Sequence, residues 1–251
     1  MKFIQYFKRG KTLLTHPLSL EAIQATEKEL SKDKNWVDVV NLLLQTFKDP
    51  SGSFLHLGPQ RTLKEYESIA TENKTWVCDS SGKGVQPTFQ MGTDAFFQSL
   101  RNSELVSNEE VKWDVIVIDG EKSAWKAHKD LTNALEFLAD DGFILLRDCN
   151  PLSEWHAREM GEFTCTPAGT QWNGSTWKAF VHWRQKKELF SCCVDVDWGI
   201  GVFSKRHAFG RPLMELNPFF EYKELAKKRK HILNLKSFDE FSWLVNALKS
   251  L

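Results

Sequence analysis

Four aspartates and a glycine stand at one kind of place in this chain, each just after a short apolar run. Gly58 follows SFLHL, Asp79 follows TWVC, Asp94 follows TFQMGT, Asp119 follows WDVIVI and Asp148 follows GFILLR. If those runs are parallel strands, the five residues mark one end of a sheet, and ligands of open parallel sheets bind in the crevice outside the carboxyl ends of the strands. A glycine in the first turn permits the close backbone approach that a nucleoside cofactor needs, and an acid after the second strand can accept hydrogen bonds from both ribose hydroxyls. This places Gly58 and Asp79 on a candidate cofactor site, with Asp94 and Asp119 at the neighbouring strand ends. Asp119, Asp148 and Asn150 are hard oxygen donors on neighbouring strand ends, the ligand type that Mg²⁺ takes while keeping several waters. Asp119, Asp148 and His156 are candidates for catalysis, because a carboxylate or an imidazole can remove a proton from an acceptor hydroxyl near neutral pH. Asn150, Asn173 and Lys178, with Trp172 and Trp177 nearby, offer directed hydrogen bonds and aromatic faces to an acceptor. Each has a plainer alternative. Aspartate is common in turns and helix caps, a lone histidine is commonly a packing residue, and Trp177 with Phe180, Val181 and Arg184 also describes a helix face against a sheet.

The elements that must hold these residues are legible as alternation. Residues 18 to 31 and 35 to 47 carry apolar side chains at helical spacing, and Asp49-Pro50-Ser51-Gly52 is a turn. Strands are then expected at 53 to 58, 75 to 80, 88 to 92, 113 to 120 and 142 to 149, separated by helices at 62 to 70 and 93 to 105 and by a third after Ser123. Thr93 is the expected N-cap of the second of these helices. In the third, Ala127, Leu131, Ala134, Leu135 and Leu138 mark one face, and Gly142 is the expected C-cap. Repeated strand–helix alternation predicts a parallel sheet with right-handed crossovers. Loops are expected at 81 to 87 and 161 to 174. After the second, STWKAFVHWRQKK reads as a helix, and LFSCCVDVD and WGIGVFSKR as two strands too close in sequence to be parallel. The tail from 219 to 251 reads as two helices, and its KELAKKRKH charge run as a solvated helix face. The expected fold class is therefore α/β: a Rossmann-like, seven-stranded, mostly parallel sheet with helices on both faces, an antiparallel pair at the C-terminal end and extra terminal helices. Residues 51 to 210 form the expected domain, with helical extensions at 1 to 50 and 211 to 251.

Composition narrows the function. With 33 Lys plus Arg against 33 Asp plus Glu in 251 residues, no net field draws the chain to nucleic acid or an anionic membrane. Cys78, Cys149, Cys165, Cys192 and Cys193 are odd in number and lack zinc-type spacing, so free thiols and a cytoplasmic location are expected. No apolar stretch reaches the ~18 residues of a membrane span, and MKFIQYFKRGKTLL lacks the apolar centre of a secretory signal. Residues 2 to 8 read as an ordinary segment packed on the domain, or as a short basic amphipathic helix at a surface.

GTDAFF (92 to 97), the long stretch from VIDGEKSAW to LLRDCNP (117 to 151) and WNGSTWKAFVHWR (172 to 184) resemble class I S-adenosylmethionine-dependent methyltransferases of the methyltransferase domain 24 type. VDVDWGIGV (194 to 202) and KELAKKRKHILNL (223 to 235) are similar to the same group, so the resemblance spans roughly residues 50 to 240. It implies S-adenosylmethionine as cofactor, Gly58 in the methionine-side turn, Asp79 on the ribose, and Gly92 to Asp94 on the adenine side. It puts Asp119 and Asp148 on the rim beneath the acceptor. Mg²⁺ is the second implied cofactor, because related sugar and catechol O-methyltransferases hold two vicinal hydroxyls on a metal. The implied reaction is methyl transfer to a hydroxyl, with an amine second, of a small polar acceptor such as a sugar or glycan unit. A homo-oligomer is compatible with it. Several positions depart from the family pattern. His56 replaces an acid, Gln60 to Thr62 replace a glycine, Lys122 and Arg147 replace histidines, and Ser175 replaces an acid. These departures motivate the alternative, a catalytically inactive methyltransferase-like binding or scaffold protein.

Overall fold

The computed structural model describes residues 2–48, 51–59, 63–80, 86–105, 111–159, 171–215 and 217–249. Gln60, Arg61, Thr62 and Cys165, and most of the loops expected at 81 to 87 and 161 to 174, lie outside these residues. Helices α1 (Lys2–Leu14), α2 (Pro17–Leu30) and α3 (Trp36–Phe47) come first. The alternating part follows: β1 (Phe54–Leu57), α4 (Leu63–Glu67), β2 (Lys74–Cys78), β3 (Phe89–Gln90), α5 (Thr93–Arg101), β4 (Trp113–Ile118), α6 (Ala124–Glu136), β5 (Leu138–Leu146) and α7 (Thr176–Trp183). The chain ends with β6 (Phe190–Val194), β7 (Ile200–Ser204), α8 (Tyr222–Ile232), β8 (Leu235–Lys236) and α9 (Phe238–Lys249). Among the described residues no helix is long and apolar enough to cross a membrane.

One sheet organises these elements, in the order β3-β2-β1-β4-β5-β7-β6-β8. Its first five members run parallel, and β7 lies antiparallel between β5 and β6. This is the expected mostly parallel α/β sheet with an antiparallel pair at its C-terminal side. It has eight strands rather than seven, because Leu235–Lys236 in the tail pairs in parallel with Cys193 and Val194 of β6. Both faces are covered, as a parallel sheet requires. Leu55, Leu57, Ile116 and Ile118 pack with α6 and α7 on one side, whereas Phe54, Val115 and Val117 pack with α3 and α9 on the other. The alternation of in and out along β1 and β4 is the two-residue period of a strand.

Two local expectations are corrected. Helix α6 stops at Glu136 with Phe137 as its C-cap, so Leu138 belongs to β5 and Gly142 lies inside that strand. The β4–β5 register shifts between Trp113 and Val115, and a Cβ on Gly142 would come within 2.9 Å of the Asp114 carbonyl oxygen. Glycine there serves a bulge with close backbone approach, not a helix cap. The N-cap of α5 is Gly92, while Thr93 is the first helical residue and turns its hydroxyl to Asp130 at 2.7 Å.

Candidate functional site

The carboxyl ends of β1 through β4 open onto a cavity of about 350 Å³. Gly58, Asp79, Gly92 and Thr93 line it together with Gly120, Glu121, Lys126 and Asp130. Gly58 is held at φ +128°, and a Cβ there would sit 2.0 Å from the Asp119 carbonyl oxygen. This close approach draws the first turn against the end of β4, and only glycine permits it. The indole N–H of Trp76 donates to the Gly58 carbonyl at 2.8 Å and fixes the turn from the other side. The Asp79 side chain is exposed at the cavity, where among the described residues the Cys78 thiol lies 3.9 Å from its Oδ1. Around Gly92 nothing lies within 4 Å of where a Cβ would be, so no backbone crowding demands glycine there.

The far wall carries a buried ion pair. Lys126 meets the Asp130 carboxylate at 2.5 Å and also reaches the Thr93 hydroxyl. Asp130 is 1 % exposed; burial pushes its pKa up, Lys126 and Thr93 pull it down, and the direction that prevails is up. Both residues lie one turn apart on α6, within the face that also carries buried Ala127, Leu131 and Ala134. The sequence signal for them is an acid inside an apolar stripe, Asp130 between Ala127 and Leu131. Asp94 is not among the residues that line the cavity. It pairs with Lys129 at 2.7 Å and Lys126 at 3.5 Å; burial opposes its charge, but the two ammonium groups together outweigh burial and hold its carboxyl below the usual range.

Beyond Gly120 the strand ends of β4 and β5 hold a different environment. Asp119 and Arg147 are both buried and meet at 2.6 Å, and the same guanidinium reaches Asp197 at 2.6 Å. Burial opposes the Arg147 charge, but Asp119 and Asp197 outweigh it and move the guanidinium pKa up. Arg147 also lies over the Trp36 ring, 5.4 Å from its centroid. Asp148 pairs with Lys122 at 2.8 Å, and Lys122 donates onward to the Trp172 carbonyl at 2.5 Å. Burial raises the Asp148 pKa. Asp148 adopts a left-handed backbone (φ 63°), as do Asp197 (44°) and Trp198 (67°). Cys149 N–H to Gly199 O and Asn150 N–H to Trp198 O, both 2.9 Å, clamp the β5 exit to the β6–β7 turn and hold these conformations. Only about 10 Å³ of space remains between these groups.

The metal set Asp119, Asp148 and Asn150 is not assembled as a ligand set. Each carboxylate already has a cationic side chain on it. Asn150 is directed elsewhere, donating to Asp195 at 3.0 Å and accepting from Arg229 at 2.5 Å. Among the described residues no group of three or more His, Cys, Asp or Glu could hold a metal ion. The residues present therefore do not fit a divalent cation.

His156 is likewise removed from solvent. Its Nδ1 meets Ser153 Oγ at 2.7 Å, its Nε2 meets Thr26 Oγ1 at 3.0 Å, and its ring packs on Trp198 at 5.0 Å. Burial, with the Arg229 charge behind it, lowers its pKa to about 4. With both nitrogens engaged and no exposed edge, it joins α2 to the loop after β5 instead of facing an acceptor. Glu29 of α2 makes a second join, accepting from the Trp198 N–H at 2.8 Å. Asn173 is fully buried and donates to the Trp198 carbonyl at 3.1 Å, while its Oδ1 has no hydrogen-bond partner among the described residues. Lys178 lies beside Glu159 at 3.5 Å, partly exposed. His56, on β1, stacks on Trp36 at 5.4 Å with neither ring nitrogen hydrogen-bonded, and burial together with Arg147 lowers its pKa to about 3. Cys78, Cys149, Cys192 and Cys193 are free and buried.

No family model and no curated protein matches the chain. Solved structures with similar folds include a protein from Corynebacterium glutamicum, 13% identical over 80% of this chain and 97% of the other, with a TM-score of 0.43. Another is the MycE methyltransferase of the mycinamycin biosynthetic pathway, in complex with Mg, SAH and mycinamycin VI. It is 10% identical over 80% of this chain and 57% of that one, with a TM-score of 0.43. A third is the pyocyanin biosynthetic protein PhzM, 13% identical over 66% and 54% of the two chains, with a TM-score of 0.35.

Proposed function

We propose that the protein is an S-adenosylmethionine-dependent methyltransferase of the methyltransferase domain 24 type, acting on a hydroxyl, or secondarily an amine, of a small polar acceptor such as a sugar or glycan unit. The carrying observation is the cavity at the β1–β4 ends, where the exposed Asp79 carboxylate, without an ion pair among the described residues, faces a turn pinned by Gly58. About 350 Å³ lies within the range of small-molecule sites. The donor set also suits a nucleoside: Asp79 accepts from the two ribose hydroxyls, and Gly92, Thr93 and Lys126 bound the base end. Residues 51 to 210 are the catalytic unit in this reading, with 1 to 50 and 211 to 251 packed on it.

When bound, the cofactor supplies an electrophilic methyl on sulfur. The chain's part is to position and to manage one proton. Asp148 is the proton acceptor, since burial raises its basicity. Asp119, fixed by Arg147, forms the polar rim beside it. His156 has no part in proton removal.

Isothermal titration with S-adenosylmethionine and S-adenosylhomocysteine tests the reading. A folded sample should bind both, and Asp79→Ala should weaken both at least about tenfold, the value of one hydrogen bond to a charged group. No heat at about 1 mM ligand, roughly the weak end of affinity, from a protein with native circular dichroism refutes it. Transfer of labelled methyl to a panel of sugars and glycans then identifies the acceptor.

A further inference from the structure

Two positive charges belonging to the chain sit where the strand-end carboxylates would hold a divalent ion. Lys122 lies on Asp148 at 2.8 Å and Arg147 on Asp119 at 2.6 Å, and all but Lys122 are buried. The two cations differ in how firmly they are held. Arg147 is 4 % exposed and tied to two carboxylates, with its guanidinium over Trp36. The Lys122 side chain is 19 % exposed, follows Gly120 and Glu121 at the cavity wall, and carries a single carboxylate and one carbonyl on its ammonium. An ammonium on a four-carbon stem can move where a forked guanidinium cannot.

We propose that Lys122 occupies the place of a divalent cation at Asp148, so that this site works without metal and presents an ammonium to the acceptor. The charge balance favours it. Asp119, Asp148 and Asp197 face Arg147 and Lys122, which leaves one net negative charge in an enclosed space. Adding a dication without expelling Lys122 would reverse that balance and set two like charges on one carboxylate. Expelling Lys122 would also cost its bond to the Trp172 carbonyl, one of several ties on the segment leading into α7. Lys122 instead pairs with Asp148 before the acceptor arrives and donates to the acceptor oxygen as that oxygen approaches, a positioning role that needs no exchange of ligands. The assignment deepens the methyl-transfer reading of the same site, but metal binding can be measured whether or not methyl transfer is found.

Manganese titration followed by electron paramagnetic resonance, with calorimetry in MgCl₂ alongside, makes the test on the full-length chain. The wild type should show no saturable Mn²⁺ binding at about 1 mM. Lys122→Ala, which bares Asp148, should gain saturable binding at least tenfold tighter than the wild type, and Lys122→Ala/Asp148→Asn should lose it again. Lys122→Met keeps the alkyl stem and replaces Lys122→Ala if the smaller side chain does not fold. Saturable Mn²⁺ binding by the wild type that disappears in Asp148→Asn overturns the proposal. A folded Lys122 variant that binds no more Mn²⁺ than the wild type overturns it as well. Loss of S-adenosylhomocysteine binding, by contrast, would sink the methyl-transfer reading and leave the metal result standing.

Discussion

Acidification should unfold this protein early, through two buried histidines. His56 has an ordinary pKa of 6.5 when the chain is unfolded and about 3 when folded, and His156 has 6.5 and about 4. Burial is the larger cause in both cases, with the charges of Arg147 and Arg229 adding to it. Between these values the unfolded chain binds protons that the folded chain refuses, so stability is full above pH 6.5 and is lost as pH falls toward 4 and 3. At about 1.4 kcal/mol per pH unit, lowering the pH from 7 to about 4.5 should cost roughly 2.5 kcal/mol for each residue, or about 5 kcal/mol together. That is comparable with the whole stability of a marginal domain, about 5–15 kcal/mol. Urea unfolding at the two pH values measures the loss. In His56→Leu, which replaces two ring nitrogens without partners by an apolar side chain, the loss should shrink by about 2.5 kcal/mol and stability at pH 7 should hold or rise. The surface carboxylates contribute equally to both proteins, so the comparison isolates the histidine. Identical losses in wild type and His56→Leu would refute the reasoning and show that His56 protonates within the fold at little cost.

Three further outcomes concern the same region. Arg147→Met leaves Asp119 and Asp197 without their cation and should destabilise the fold by about 3–5 kcal/mol in chemical denaturation; a change under about 1 kcal/mol would mean the bridge behaves as a surface pair. Lys126→Met should cost a similar roughly 3–5 kcal/mol by stranding buried Asp130, and Lys126→Met/Asp130→Leu should recover most of it. A double variant that is no better than the single one contradicts that coupling. Gly58→Ala should lower stability by at least about 2 kcal/mol, because φ +128° and the Asp119 carbonyl at 2.0 Å both exclude a Cβ; an unchanged melting temperature would show that the turn relaxes.

The sheet was legible in the sequence because β-branched and aromatic runs such as WDVIVI alternate with segments of helical period, and each run ends in a turn residue. Two features escaped that pattern. Strand β8 is two residues long, too short for any periodicity, and exists because β6 leaves an open edge. The α6–β5 boundary was misplaced because Leu138 continues the helical face of Leu131 and Leu135 in register, although its partner in the fold is Trp113 across the sheet. At the site, position along the strands located Gly58 and Asp79, which line one cavity, and Gly92 and Thr93, named from the resemblance, line it as well. Residue type misled where burial decides. Asn150 and His156 have the side chains of ligands, yet both polar atoms of each are taken up within the fold, by Asp195 and Arg229 and by Ser153 and Thr26; Asp94 is paired with Lys129, and Asn173 is held at its amide nitrogen alone.

Why Lys122 and Arg147 stand at the strand ends follows from the cost of the carboxylates they meet. An ionised carboxylate taken out of water loses several kcal/mol unless a partner or a metal compensates. Asp119 and Asp148 end adjacent parallel strands, so each also feels the other. Histidines at 122 and 147 would be largely neutral at pH 7 and would leave both charges standing. A permanent guanidinium and an ammonium remove that deficit inside the chain itself. Lys122 and Arg147 are, in this packing, a matched compensation: replacing either cation alone breaks it, and supplying a metal to the intact pair gives the two carboxylates nothing they lack.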